Sequence, residues 1–233
     1  RIEGFEPHTG WIGEAGPSEI EIGEDRCRFL VDVTGGQKPG FYLDQRENRA
    51  LVARHARGKR VLDAFCYTGA FACHALVEGA ESVLGIERSA EAAALARRNL
   101  LLNGAETRAE LREANAFDDL RRLWRAGERF QLVILDPPPF ARRKDALDSA
   151  ARGYKEINLR ALLCLDPGGL LATFSCSHHV SLPLFEEICQ SAAVDAGGSV
   201  RLLGALTQSR DHPIRLSVPE TRYLKGLLLQ AAD

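Results

Sequence analysis

Val61-Leu62-Asp63-Ala64-Phe65-Cys66-Tyr67-Thr68-Gly69-Ala70-Phe71 is the stretch whose reading decides the architecture. Its first residues read as a short buried strand, and from Gly69 onward the apolar spacing becomes helical. A small-residue turn between the two lets backbone approach a ligand closely, and the helix N-terminus behind it favours negative groups. Only one glycine stands in the turn, so it is not the GxGxxG dinucleotide fingerprint, and a nicotinamide-dependent reductase is disfavoured. Taken alone, the turn reads equally well as a tight strand-to-helix connection.

Outward from it, strand patterns fall at 60–62, 82–87, 109–112, 131–135 and 170–174, with helix patterns near 69–78, 90–103, 117–126, 147–165 and 182–196. Upstream, Asp44 with Glu47 reads as a capping box opening a helix to about residue 56. Alternation of this kind means βαβ units and a mainly parallel sheet with right-handed crossovers. Two late strands, 200–206 and 223–229, have no substantial helix between them and are expected to pair antiparallel. The expectation is an α/β, Rossmann-like fold: a seven-stranded mostly parallel sheet with one antiparallel strand.

A small β-hairpin segment is expected to precede it. Ile20 and Ile22 alternate with glutamates, Gly23-Glu24-Asp25 is a turn signal, and Phe29, Val31 and Val33 alternate beyond it. Gly35 to Gly40 reads as a loop or hinge. The chain is therefore divided into a hairpin-bearing segment, 1–39, and a main domain, 40–233.

Ligands of open α/β sheets bind at the carboxyl ends of the strands. The second strand of the main domain ends in Glu87, followed by Arg88. An acidic side chain there, about twenty residues beyond the turn, suits the two hydroxyls of a ribose; a solvated strand-end glutamate is the plain alternative. The third leads to Asn115-Ala116-Phe117, an amide and an aromatic ring suited to an adenine, although Asn115 is also a natural helix N-cap. The fourth ends in Asp136-Pro137-Pro138-Pro139-Phe140. Three prolines stiffen this loop and remove three backbone donors, and Phe140 can stack on a planar base.

The fifth ends in Ser175-Cys176-Ser177-His178-His179. Cys176 can serve as a nucleophile if neighbouring imidazoles and a following helix N-terminus lower its pKa. One cysteine and two adjacent histidines lack the usual zinc spacing, and no metal is expected. Viewed alone Cys176 would be a buried thiol; its place across from Asp136 reverses that reading.

Composition narrows the classes. Among 233 residues the net charge is −2, so any nucleic-acid contact must come from local patches rather than a global basic excess. Arg142-Arg143-Lys144, Tyr154 and Lys155 are such a patch; its plain reading is a solvated helix face. No apolar run approaches the length of a membrane span and no export signal is visible, so a cytoplasmic location with reduced thiols is expected.

Several segments in this order resemble the bacterial large-subunit (23S) rRNA cytosine-C5 methyltransferases that carry an N-terminal PUA domain. They are Gly36 to Arg46, Asp63 to Phe71, Asp136 to Phe140, Arg152 to Lys155, Ser175 to His179, Asp211-His212-Pro213 and Tyr223-Leu224-Lys225-Gly226. The resemblance implies a class I methyltransferase fold, S-adenosyl-L-methionine as cofactor, large-subunit rRNA as partner and a possible homodimer. It also implies an upstream PUA domain, so that a chain beginning at Arg1 would be a fragment lacking it.

On this reading the cofactor is held by Gln45, Arg46, Asp63, Phe65, Thr68, Gly69, Phe71, Glu87, Arg88, Asn115, Ala116, Phe117 and Asp136, with Arg46 near the methionine carboxylate. Cys176 and Asp136 are the catalytic pair. Pro137, Pro138, Phe140, Arg142, Arg143, Lys144, Tyr154, Lys155 and His212 face the substrate. Pro138 and Pro139 occupy the place where many RNA cytosine-C5 enzymes have a second cysteine, which leaves the C5 proton acceptor open among His178, His179, His212 and water. Alternatives are a related rRNA guanine-nitrogen methyltransferase, whose relatives are expected to have asparagine where Cys176 and Ser177 stand, a protein-nitrogen methyltransferase, and a non-catalytic RNA-binding module.

Overall fold

The structure, a computed structural model, describes residues 11–35, 40–140 and 146–232. Two antiparallel strands lead, β1 (Glu19–Glu24) and β2 (Cys27–Asp32), with Ile20 opposite Val31 and Ile22 opposite Phe29. The alternation is as read from the sequence, but the turn comes later. Glu24 pairs with Cys27 and is buried, and Asp25 takes the left-handed conformation at the tip, with φ of 50°. Val33 lies beyond the end of β2.

After the hairpin come α1 (Arg46–Ala53), β3 (Arg60–Ala64), α2 (Ala70–Val77), β4 (Ser82–Glu87), α3 (Ala90–Leu102), β5 (Ala109–Glu113), α4 (Ala116–Arg125) and β6 (Phe130–Leu135). The chain continues through α5 (Leu147–Leu163), β7 (Leu165–Ser175), α6 (Leu182–Asp195), β8 (Val200–Leu206) and β9 (Lys225–Ala231). The main sheet has seven strands in the order β5-β4-β3-β6-β7-β9-β8. β9 runs antiparallel to both of its neighbours, and the other pairings are parallel. This is the α/β architecture expected from the alternation.

Helices cover both faces, which is why β3 and β6 are buried almost throughout. One buried cluster joins Leu62, Val133, Leu120, Ile157 and Phe185. The other joins Val61, Leu132, Leu76, Leu100 and Phe174 and takes in Phe29 and Val31 of the hairpin. β3 and β6 lie side by side although two βα units separate them in sequence, so the strand order reverses there and opens a crevice above their ends.

No capping box forms at Asp44 and Glu47. A 3-10 turn, Leu43–Gln45, precedes α1, Asp44 accepts a hydrogen bond from Tyr223 Oη at 2.7 Å, and Glu47 pairs with Arg210. Both side chains are drawn to the far end of the sequence instead of to their own helix. Among the described residues no helix is long and apolar enough to cross a membrane.

Candidate active site

The turn after β3 is built from unusual backbone. Phe65, Tyr67 and Gly69 are all left-handed, with φ of 65°, 49° and 77°. Between them Cys66 donates its N–H to the Ile86 carbonyl, and Tyr67 donates its own to Glu87 Oε2 at 2.9 Å. A Cβ at Gly69 would stand 3.2 Å from that of Ala96, so glycine answers both the conformation and the close approach of α3. Asp63 is buried, its Oδ2 accepting from the Ala72 N–H at 3.0 Å. Burial, with Asp136 and Glu87 near, pushes its carboxyl well above the usual range.

Beside this turn a cleft is lined by Tyr42, Arg49, Phe65, Thr68, Phe71 and Asp136. Asp63 Oδ1 and Thr68 Oγ1 are buried without a partner. Unsatisfied buried polar atoms cost about 1–3 kcal/mol each, so the turn suits a polar ligand. Phe71 belongs mostly to the core, its ring 5.6 Å from that of Phe174. Gln45 is buried and accepts from Asn48; its Nε2 completes no hydrogen bond, yet the amide pulls the Asp136 carboxyl downward. Arg46 faces Asp211 at 3.3 Å, and His212 meets the same carboxylate at 3.2 Å.

Glu87 stands at the end of β4 and accepts from the backbone of Tyr67, Arg88 and Ser89. These bonds hold the carboxylate in place, and its remaining lone pairs can accept hydroxyl donors. The Arg88 side chain is exposed. Asn115 caps α4, its Oδ1 accepting from the Phe117 N–H at 2.9 Å, and Ala116 is buried behind it. Phe117 lies 6.3 Å from Phe65 and 5.6 Å from Phe140, ring to ring.

Phe140 in turn lies 4.6 Å from Tyr154. A side chain at Gly153 would press within 3.1 Å of the Phe140 ring, so that glycine permits the stack. Tyr154 is fully buried and shares a 3.0 Å hydrogen bond with Ser177 Oγ. It is a strut between the two loops, not a surface group. Lys155 pairs with Asp195 on α6 at 2.7 Å, apart from these aromatics. Arg142, Arg143 and Lys144 lie outside the described residues.

The parallel pairing of β6 with β7 sets Leu135 opposite Thr173, so Asp136 and Cys176 emerge from adjacent strand ends. Cys176 Sγ points to the Pro137 carbonyl oxygen at 3.8 Å; Pro137 is buried and Pro138 exposed. Burial, aided by Asp44, pushes the Asp136 carboxyl up to about 7, against the pull of Gln45 and Arg49.

The thiol is not activated in the way its neighbours in sequence suggested. Burial first, then Asp136, pushes Cys176 up to about 11. His178 and His179 are exposed, and α6 begins only at Leu182. The opposing cation is Lys225, which was quoted within the resemblance but given no role. Its signal was a lysine heading the otherwise apolar run Gly226-Leu227-Leu228-Leu229. Arg49, Tyr42 and Tyr67 were also given no role: Arg49 stood in a segment read for its periodicity, and Tyr42 and Tyr67 in segments quoted for the resemblance without a part of their own.

The family model described as S-adenosylmethionine-dependent methyltransferase matches residues 6–201. The chain belongs to the S-adenosylmethionine-dependent methyltransferase family. Among similar proteins, the "Ribosomal RNA large subunit methyltransferase I" of Tolumonas auensis is 46% identical, over 98% of this chain and 58% of its own length. That of Aeromonas hydrophila is 44% identical over the same shares. The chain thus spans 58% of the length of these relatives. Among solved structures, SMU.776 complexed with SAH superposes with a TM-score of 0.85 at 23% identity, over 94% of this chain and 58% of that one, a likeness of fold.

These findings correct the narrower placement drawn from the resemblance. What matches is the S-adenosylmethionine-dependent methyltransferase family, with relatives named as large-subunit rRNA methyltransferases. The expectation of a fragment defined by a lost PUA domain is therefore set aside. The methyltransferase family and its cofactor, S-adenosylmethionine, stand.

Proposed function

We propose that this methyltransferase forms 5-methylcytosine in large-subunit rRNA. The large-subunit rRNA is taken from the names of its relatives. The base rests on one observation: a cysteine thiol held 3.8 Å from the Pro137 carbonyl, beside Asp136. A cytosine C5 needs covalent activation before it can be methylated, whereas a guanine nitrogen needs none, so a thiol at this edge favours cytosine.

S-adenosylmethionine supplies the electrophilic methyl group. Glu87 is assigned to its ribose hydroxyls, Asn115 to Phe117 with Phe65 to its adenine, and Asp63, Thr68 and Gly69 to the turn beneath it. Gln45 and Arg46 are assigned to its methionine end. Phe140 flanks the target base, and Pro137 and Pro138 form the rigid wall beside it.

Cys176 as thiolate adds to C6, forming an Sγ–C6 bond and making C5 nucleophilic. With its pKa near 7, Asp136 is partly protonated at neutrality. It can donate to N3 as the adduct forms and accept from the exocyclic N4 amine. After C5 is methylated, loss of its proton and cleavage of the Sγ–C6 bond restore the ring and the thiolate. A base or water takes that proton.

Cys176→Ala is expected to abolish methylation of rRNA while cofactor binding, read by calorimetry, stays intact. RNA carrying 5-fluorocytosine should trap a covalent complex with the wild-type chain, because fluorine blocks the elimination. Near-normal turnover in Cys176→Ala would rule the mechanism out.

A further inference from the structure

Lys225 opens β9 directly opposite Ser175, the residue before Cys176, in the antiparallel β7–β9 register. The residue is 5% exposed, and its Nζ donates to the Ser177 carbonyl at 2.6 Å and the Tyr223 carbonyl at 2.7 Å. Lys225 is thus paired to the residue before Cys176 and its amine bonded to the residue after it. Among the described residues no carboxylate lies within ion-pair distance of it. A buried ammonium without a counter-ion is costly, and two neutral carbonyls compensate only part of that cost.

We propose that Lys225 is the positioning cation of Cys176, holding the thiolate that the nucleophile must become. The assignment rests on the reading of Cys176 as nucleophile. When the Sγ–H bond breaks, the proton leaves to solvent, and the pair passes from one net positive charge to none. The missing counter-ion is thus an anion made during turnover.

The other groups around the thiol set the requirement. Asp136 at the end of β6 and Asp44 before α1 both oppose a negative charge on Cys176. Tyr42, Tyr154 and Tyr223 also stand near the thiol, and burial above all pushes each of their hydroxyls up. Lys225 is a cation whose charge acts in the thiolate's favour. Burial pushes the Lys225 amine down to about 8 while Cys176 pulls it up.

The test reads thiol reactivity rather than methyl transfer. Iodoacetamide modification of Cys176 in the intact chain, followed by peptide mass spectrometry across pH, reports the thiolate fraction. Lys225→Gln keeps donors for the two carbonyls but removes the charge. Its Cys176 is expected to alkylate about tenfold more slowly at neutral pH, the two rate curves converging above about pH 8 as the wild-type lysine loses its charge. Continued protection of the buried Cys66, Cys73 and Cys189 verifies folding. A folded Lys225→Gln with the wild-type curve overturns the assignment.

Lys225→Arg keeps the charge at alkaline pH, where the lysine loses it, and its Cys176 should alkylate at least as fast as wild type there. Slower alkylation in that variant, once folded, also overturns the assignment. Normal methylation by Cys176→Ala would remove the covalent reading and leave the alkylation result standing on its own.

Discussion

Glu24 and Arg49 form a buried two-bond ion pair, each guanidinium nitrogen 2.6 Å from a carboxylate oxygen, joining the hairpin to α1. His74 of α2 meets the same carboxylate at 3.0 Å, and Arg49 also donates to the Tyr42 carbonyl at 2.9 Å. The pair thereby braces one wall of the cleft, because Arg49 and Tyr42 both line it. Removing one partner leaves the other charged and buried. Arg49→Ala is expected to cost about 3 kcal/mol or more of stability, measured by urea denaturation near neutral pH.

The same pair sets an acid limit. Burial alone would raise the Glu24 carboxyl, but its bonds from His74 and Arg49 outweigh burial and hold it down at about 2. A depressed carboxyl contributes fully above its ordinary value and loses that contribution as pH falls through its folded value. Stability should therefore fall between about pH 4.5 and 2, with a shallower fall in Glu24→Gln. Denaturation midpoints measured through that range check this; equal slopes in both chains would mean that other groups govern acid unfolding.

Gly69→Ala forces a side chain into a left-handed position 3.2 Å from Ala96 Cβ. The conformation alone costs about 1–2 kcal/mol. The melting temperature should drop, and because the turn faces the cleft, cofactor affinity by calorimetry should weaken alongside it. Unchanged affinity would place the cofactor elsewhere.

Asp136→Asn separates stability from turnover. The wild-type carboxyl is pushed up to about 7, so its ionised form is disfavoured in the fold. Stability is fully retained below the ordinary carboxylate range and declines as pH rises toward 7. The asparagine variant should therefore be at least as stable as wild type above neutrality, while methylation falls by about 100-fold or more. A variant with normal turnover would exclude acid–base work at this position.

Much of the frame was legible because buried parallel strands and amphipathic helices leave strong periodic signals. β4 was placed at its observed bounds, and α3 and α4 to within a residue at each end. Where local signals misled, a distant partner had prevailed. Asp44 looked like a cap until Tyr223 bonded it, and Glu24 looked like a turn residue until Arg49 and His74 buried it. β7 begins at Leu165, ahead of the strand pattern at 170–174, because a register irregularity against β6 accommodates Pro167 and Gly168. The surroundings of Cys176 were illegible for the same reason: Lys225 reaches it only through sheet pairing.

The left-handed Phe65 and Tyr67 carry a final implication. Bulky residues seldom hold that conformation, and each such position stores about 1–3 kcal/mol. The loop is therefore kept in shape by its neighbours against its own residue preferences, with the ordering entropy spent at folding and not at ligand capture. A glycine at either site would make the loop easier to form and less committed to one shape. The chain could then fold better and bind worse.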